Sequence, residues 1–343
     1  MAMRRRSSRA TATAVLPPFT TIPVAHDISM MIMLSRQGTS FYPHYSELLA
    51  MWAQNRPAIP RFKTRIVFNS ISTLSAAHQL ALSREPGAPR ATVGVLSFAS
   101  PKQPRGQFLQ GGDEQEETVA RLSSLETNLT SPAAQEFYRE HRKYRAEDGS
   151  GLHDHSMVYS PGVVVFRRDS GDMLALVGED STATATILPR TEDPSAGEFI
   201  APYTVNVVSA VPVHAGTVRS KHIILPSEKQ LFDSGMRQVM KERMARALRL
   251  FEERRDHTVV LGAFGCGQSQ NKADAVAGIW AELLVCGWID EEGKKRPARF
   301  ADSFEKVVLA VPGKWFADFK RAFDMRIFEE RVAEAALTNS SGS

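Results

Sequence analysis

The chain has 343 residues, 43% of them hydrophobic, which suits one large α/β domain or one domain with a smaller appendage. Its 42 basic and 38 acidic residues leave a net charge of +4, a mild excess that neither demands nor opposes a polyanionic partner. The two cysteines, Cys266 and Cys286, form no CxxC pair, so no disulfide framework or zinc site is implied, and no apolar run approaches the ~18 residues of a membrane span.

Residues 1–25 carry Arg4, Arg5, Arg6 and Arg9, no acid and no hydrophobic period. They read as a disordered basic tail or as a transit peptide. Together with the cysteine usage this points to an intracellular protein of the cytoplasm or nucleus, with the mitochondrion as the alternative. Residues 26–62 read as an N-terminal helical extension, with a helix over Tyr45–Gln54 that presents Leu48, Leu49 and Trp52 on one face. The main domain spans 63–337, and 338–343 form a flexible tail.

Within the main domain, Arg65–Asn69 reads as a strand and Ser70–Ser83 as a helix, before the break at Glu85–Pro89. Val93–Phe98 is a strong buried strand. Glu114–Leu125 and Pro132–Tyr144 read as helices, the second with proline in its first turn. Ala146–His155 is a polar loop. Val158–Phe166, interrupted by Pro161-Gly162, reads as strand, as do Met173–Val177 and Thr204–Val211, with Gly178–Gly197 as a loop or insertion. Gln230–Glu253 is a long helix whose stripe of Phe232, Met236, Val239, Met240, Met244, Ala247, Leu248 and Phe251 is core packing. Thr258–Gly262 is a strand, Lys272–Cys286 a helix, Lys306–Val311 a final strand and Trp315–Ala336 a last helix. This alternation argues for a three-layer α/β/α sandwich.

Residues 91–121 say most about chemistry. The Val93–Ala99 run empties into a Gly- and Pro-rich loop, which delivers adjacent acids, Glu116 and Glu117, onto the first turn of a helix. Strand, glycine loop and helix N-terminus make a ready anion site. Acids placed there suggest a phosphate-bearing ligand whose bond is broken beside the phosphates. Adjacent acids in a first turn also arise simply because they offset the macrodipole. A second glycine loop, Gly262–Gly267, follows another strand, and two such loops can flank one cleft.

The stretches VGVLSFASPKQPRGQFLQGGDEQEE, YSPGVVVFRRD and VVLGAFGCGQSQN, in that order, resemble the microbial-type poly(ADP-ribose) glycohydrolases. The similarity runs from about Arg65 to Val311. It implies a macrodomain-like α/β/α sandwich with a mixed sheet that binds ADP-ribose and requires no metal or cofactor. The family is marked by a glycine triplet and then Gln-Glu-Glu, with activity resting chiefly on the second acid. Carried over, Glu117 is the main catalytic acid, Glu116 orients a ribose hydroxyl and Gln115 precedes them. Gln103, Arg105, Gly106, Gln107, Phe108, Gly111 and Gly112 of the first loop and Gln115 after it, with Gly265, Cys266, Gly267, Gln268, Ser269, Gln270 and Asn271 of the second, are expected to line the ligand. The enzyme reading requires the Glu117 carboxylate to face the same cleft as Gly265–Gly267 and not to pack against another element. The expected activity is release of ADP-ribose from poly- or mono-ADP-ribosylated protein or nucleic acid. The alternative is a binding module without turnover.

Both loops depart from the family. Where it has Asn-Pro and the glycine triplet, this chain has Gln103-Pro104-Arg105-Gly106-Gln107, keeping one glycine. Where it has Val-Phe-Gly-Asn, this chain has Gln268-Ser269-Gln270-Asn271. A Cβ fills the space that a phosphate would enter and makes positive φ costly. Arg105 either supplies a guanidinium to the diphosphate or blocks the loop.

Other residues rank lower. Cys266 reads as a packed residue, because no partner histidine is recognisable. His153-Asp154-His155 could ligate a metal but lacks a third ligand on a regular element. His214 either lines the cleft or is a satisfied loop histidine. Tyr159–Gly162 is expected to shape the cleft near the acids.

Overall fold

The structure, a computed structural model, describes residues 26–54, 62–82, 92–147, 149–170, 197–289 and 295–340. The basic tail 1–25, the break at 85–89, the strand expected at 173–177, nearly all of the 178–197 loop and the last three residues lie outside them.

In chain order the elements are α1 (Ser29–Gln37), β1 (Ser40–Tyr42), α2 (Glu47–Ala50), β2 (Arg65–Asn69), α3 (Thr73–Leu82) and β3 (Val93–Phe98). A 3₁₀ turn at Phe108–Gln110 leads to α4 (Gln115–Leu122), α5 (Leu125–Leu129), α6 (Pro132–Glu147), β4 (Met157–Arg167) and β5 (Phe199–Ala210). Then come α7 (Ala215–Lys221), α8 (Lys229–Glu253), β6 (Thr258–Gly262), α9 (Ala273–Leu284), the small hairpin of β7 (Trp288–Ile289) and β8 (Lys295–Arg296), β9 (Lys306–Ala310) and α10 (Trp315–Ser340). The main sheet is seven-stranded in the order β1-β4-β5-β3-β6-β9-β2. Its strands β5, β3, β6, β9 and β2 are parallel, and β4 and β1 close one edge in antiparallel register.

The strands are apolar on both faces because both faces are covered. Successive side chains point to opposite sides. Val95, Val207, Val260 and Val308 join one core, roofed by α3, α4, α5 and α6. Leu96, Val208, Leu261 and Leu309 join the other, roofed by α8, α9 and α10. Met236, Met240, Met244, Leu248 and Phe251 of α8 all lie in that second core, as their helical spacing required. Three layers and a mixed sheet therefore stand as expected.

Three local expectations are corrected. The helix expected over 114–125 stops at Leu122. The Ser123 hydroxyl donates to Val119 O at 2.6 Å, and Ser123 bridges Val165 while Ser124 and Val164 exchange hydrogen bonds, so the chain leaves the helix to seat on β4. The helix expected over 45–54 shortens to Glu47–Ala50, because the residues beyond it serve tertiary contacts. The Trp52 indole donates to Glu242 at 2.8 Å and its carbonyl accepts from Arg299. Residues 26–54 are not purely helical either, since β1 forms the edge of the main sheet against β4.

Candidate active site

The two glycine loops leave the C-terminal ends of β3 and β6, which are adjacent parallel strands. That is where parallel α/β sheets gather their ligands. Gln115 fixes the first helix to its strand. Its Oε1 accepts from Phe98 N–H at 2.9 Å, and its Nε2 donates to Leu96 O at 2.8 Å and to Thr73 Oγ1 at 3.2 Å. Expected to touch ligand, Gln115 here uses its whole amide to set where the next two acids stand.

Those acids have different surroundings. Glu116 is 2% exposed, beneath the end of β3 and against α6. One oxygen accepts from Ser100 N–H at 2.9 Å and the other from the Tyr138 hydroxyl at 3.4 Å. Burial pushes its carboxyl up to about 8, despite both hydrogen bonds, so it carries a proton at neutral pH. Glu117 is 4% exposed, but its cover is the first loop itself. It accepts from Gln107 N–H at 2.6 Å and, in the manner of a capping box, from Glu114 N–H at 2.9 Å. Gly106 and Gly112 press on it, and a Cβ added to either would stand 2.5 or 2.2 Å from a Glu117 oxygen. The carboxylate is thus turned into its own loop and not toward Gly265–Gly267 as expected. The physical reason is that the backbone N–H groups at 107 and 114 converge on it.

The rest of the first loop braces this enclosure. Gln103 donates to Gly106 O at 2.7 Å. Arg105 adopts φ +59 and pairs with Glu126, so it is directed to α5. Phe108 lies between the guanidinium groups of Arg105 and Arg121, 5.9 and 5.7 Å from its ring centre. Gly111, at φ +79, ends the 3₁₀ turn with open space around it.

The second loop is held by Asn271, whose amide donates to Val213 O at 2.6 Å and to Gly265 O at 3.0 Å. Gly265 is enclosed by Pro212 and Asn271. Ser269 O accepts from Gly216 N–H, and Gln270, at φ +57, lays its side chain over Gly216. Both Arg105 and Gln270 therefore keep the left-handed backbone conformation that favours glycine. Cys266 is buried and its thiol is pushed up to about 12, which suits a packed residue and not a nucleophile. Gly267 faces across to Glu114 of the first loop, which also hydrogen-bonds Gln268. Glu114 escaped notice in the sequence, although it makes the run 113–117 four acids in five residues. Tyr138 had no signal beyond its place on an amphipathic helix.

The remaining candidates are structural. His141, His153 and His155 are pushed down by burial to about 4, 3 and 2 and so are neutral, with His141 Nε2 3.3 Å from Asp154 and His155 stacked on His44. Among the described residues no group of three or more His, Cys, Asp or Glu could hold a metal ion. His214 caps α7, accepting from Thr217 N–H at 3.1 Å. Tyr159–Gly162 does not shape the cleft. Because β4 is antiparallel, only its start at Met157 reaches that end of the sheet. The Tyr159 hydroxyl instead donates at 3.0 Å to Asp256, which precedes β6.

Residues 21–168 match the family model described as microbial-type PARG (poly(ADP-ribose) glycohydrolase), catalytic domain. Among solved structures, a poly(ADP-ribose) glycohydrolase from Thermomonospora curvata is 27% identical, with 86% of this chain and 89% of that chain covered and a TM-score of 0.64. The same enzyme bound to the inhibitor ADP-HPD is 29% identical over the same shares, at 0.62. A Deinococcus radiodurans poly(ADP-ribose) glycohydrolase in complex with ADP-ribose is 25% identical, covering 89% of this chain and 99% of that chain, at 0.63. No curated protein matches the chain.

Proposed function

We propose that this chain, which matches the microbial-type poly(ADP-ribose) glycohydrolases in sequence over 21–168 and in fold over most of its length, is an ADP-ribosyl glycohydrolase. Its substrates are poly- or mono-ADP-ribosylated protein or nucleic acid. The observation that carries the reading is the delivery of Gln115-Glu116-Glu117 to the end of β3, beside the glycine loop of the neighbouring β6.

Cleaving a ribose glycosidic bond passes through an oxocarbenium-like state and needs a proton on the leaving oxygen. Glu117 is the proposed donor. Its cover is a surface loop that substrate can displace, whereas Glu116 is covered by the core residue Tyr138 and the end of β3. Glu117 enters the reaction as the carboxylic acid, the form a proton donor requires. As the ribose–oxygen bond breaks, the Glu117 proton passes to the leaving oxygen. Water then adds to the anomeric carbon and returns a proton to Glu117, which leaves the enzyme unchanged. Glu116, neutral and fixed, orients a ribose hydroxyl through the lone pairs that Ser100 and Tyr138 leave free.

The enclosure of Glu117 by its own loop also favours a second reading, a module that binds ADP-ribose without turnover. Release of ADP-ribose from a poly(ADP-ribosylated) protein separates the two. Release by the wild type and its loss in Glu117→Ala support the enzyme; tight binding with no release supports the module.

A further inference from the structure

A glycine loop binds an anion because it leaves space over the backbone and N–H groups facing that space. Here the space over Gly267 is filled. A Cβ on Gly267 would stand 2.9 Å from one oxygen of Glu114 and 3.4 Å from the other. Glu114 is the N-cap of α4 with an extended backbone, and its own N–H is held by Glu117. Its side chain is half-buried, closes the capping box on the Glu117 backbone N–H and reaches the second loop, where it meets Gln268. It is therefore the carboxylate that stands in the gap between the two loops, with the charge sign and acceptor chemistry of a phosphate.

We propose that Glu114 is a specificity-determining residue that holds the gap between the two glycine loops against a diphosphate and has to swing out before ADP-ribose can seat. The inference rests on the ADP-ribosyl reading of the cleft. It makes the gap selective. A ligand wins it only by replacing the contacts of Glu114 with its own, so bare ADP-ribose is held weakly and a modified target that adds contacts outside the loops gains an advantage. The charged groups facing Glu114 are Asp113 and Glu117, both acids, and the second loop presents Gln268. Burial first, and these acids second, raise its carboxyl above the ordinary range. Acidification therefore neutralises the competitor while the diphosphate stays ionised.

The test is calorimetric titration of the full chain with ADP-ribose at pH 7.5 and pH 5.5, using the wild type, Glu114→Ala and the isosteric Glu114→Gln. Thermal unfolding confirms that each is folded, and Glu114→Gln carries the test if the alanine variant is not. At pH 7.5 the expected result is about tenfold tighter binding in Glu114→Ala and severalfold in Glu114→Gln. Wild-type affinity is expected to rise on acidification by more than that of either variant. If the wild type binds ADP-ribose and neither variant binds it more tightly, the role of Glu114 is overturned and the ADP-ribosyl reading stands. If neither the wild type nor the variants bind, both fall together.

Discussion

Replacing Glu116 with glutamine should stabilise the protein at alkaline pH and do so progressively. In the folded chain this carboxyl is raised from 4.5 to about 8 by burial, so between these values the folded state holds a proton that the unfolded state has released. The folded state binds more protons, and stability therefore falls as pH rises through that interval. The slope is about 1.4 kcal/mol per pH unit, and the whole interval gives an upper bound of about 5 kcal/mol. Glu116→Gln removes the titration and keeps the shape. Its carbonyl accepts from Ser100 N–H, and its amide faces the Tyr138 hydroxyl, which can accept in turn. Asp256, raised to about 6, titrates in both proteins and cancels in the comparison. Urea unfolding of both at pH 5, 6.5 and 8 is the assay. The stability of Glu116→Gln relative to the wild type should climb by on the order of 1 kcal/mol per unit of pH. Parallel pH dependences would show that Glu116 is ionised in the folded state and would refute the reasoning.

Gly112→Ala places a Cβ 2.2 Å from a Glu117 oxygen, and the loop has to yield. About 2 kcal/mol of destabilisation in urea unfolding and a loss of ADP-ribose release are expected, as for overpacking of a closed contact. Gln270 holds φ +57, which costs a non-glycine residue about 1 kcal/mol or more. Gln270→Gly should therefore match or exceed wild-type stability by about 0.5 kcal/mol, after the added freedom of the unfolded chain is allowed for, whereas Gln270→Val should lower it by more than about 1 kcal/mol. Chemical denaturation measures both.

Much of this architecture is legible in the sequence. Strands β3 and β6 occupy the residues expected, because continuous apolar runs bounded by Gly and Pro are the signature of strands covered on both faces. The heptad-like stripe of α8 marks its buried face for the same kind of reason. Short elements escape. Ser40–Tyr42 is three residues long and has no period to read, and the stop after Leu122 depends on Ser123 and Ser124 meeting β4, which is remote in sequence. The position of the acid pair at a helix start is legible, but the direction in which Glu117 turns is not. A capping box is recognised by Ser or Thr at the N-cap, and here Glu114 occupies that place. That same residue reaches the second loop, a contact between segments 153 residues apart (Glu114 to Gly267) that no local pattern encodes.

The proton donor at position 117 is tested most directly by the rate of ADP-ribose release from a poly(ADP-ribosylated) protein, measured for the wild type and for Glu117→Gln at equal folded concentration. Loss of a general acid should lower the rate about 100- to 10,000-fold while ADP-ribose still binds. A Glu117→Gln variant that releases ADP-ribose at the wild-type rate would contradict the assignment.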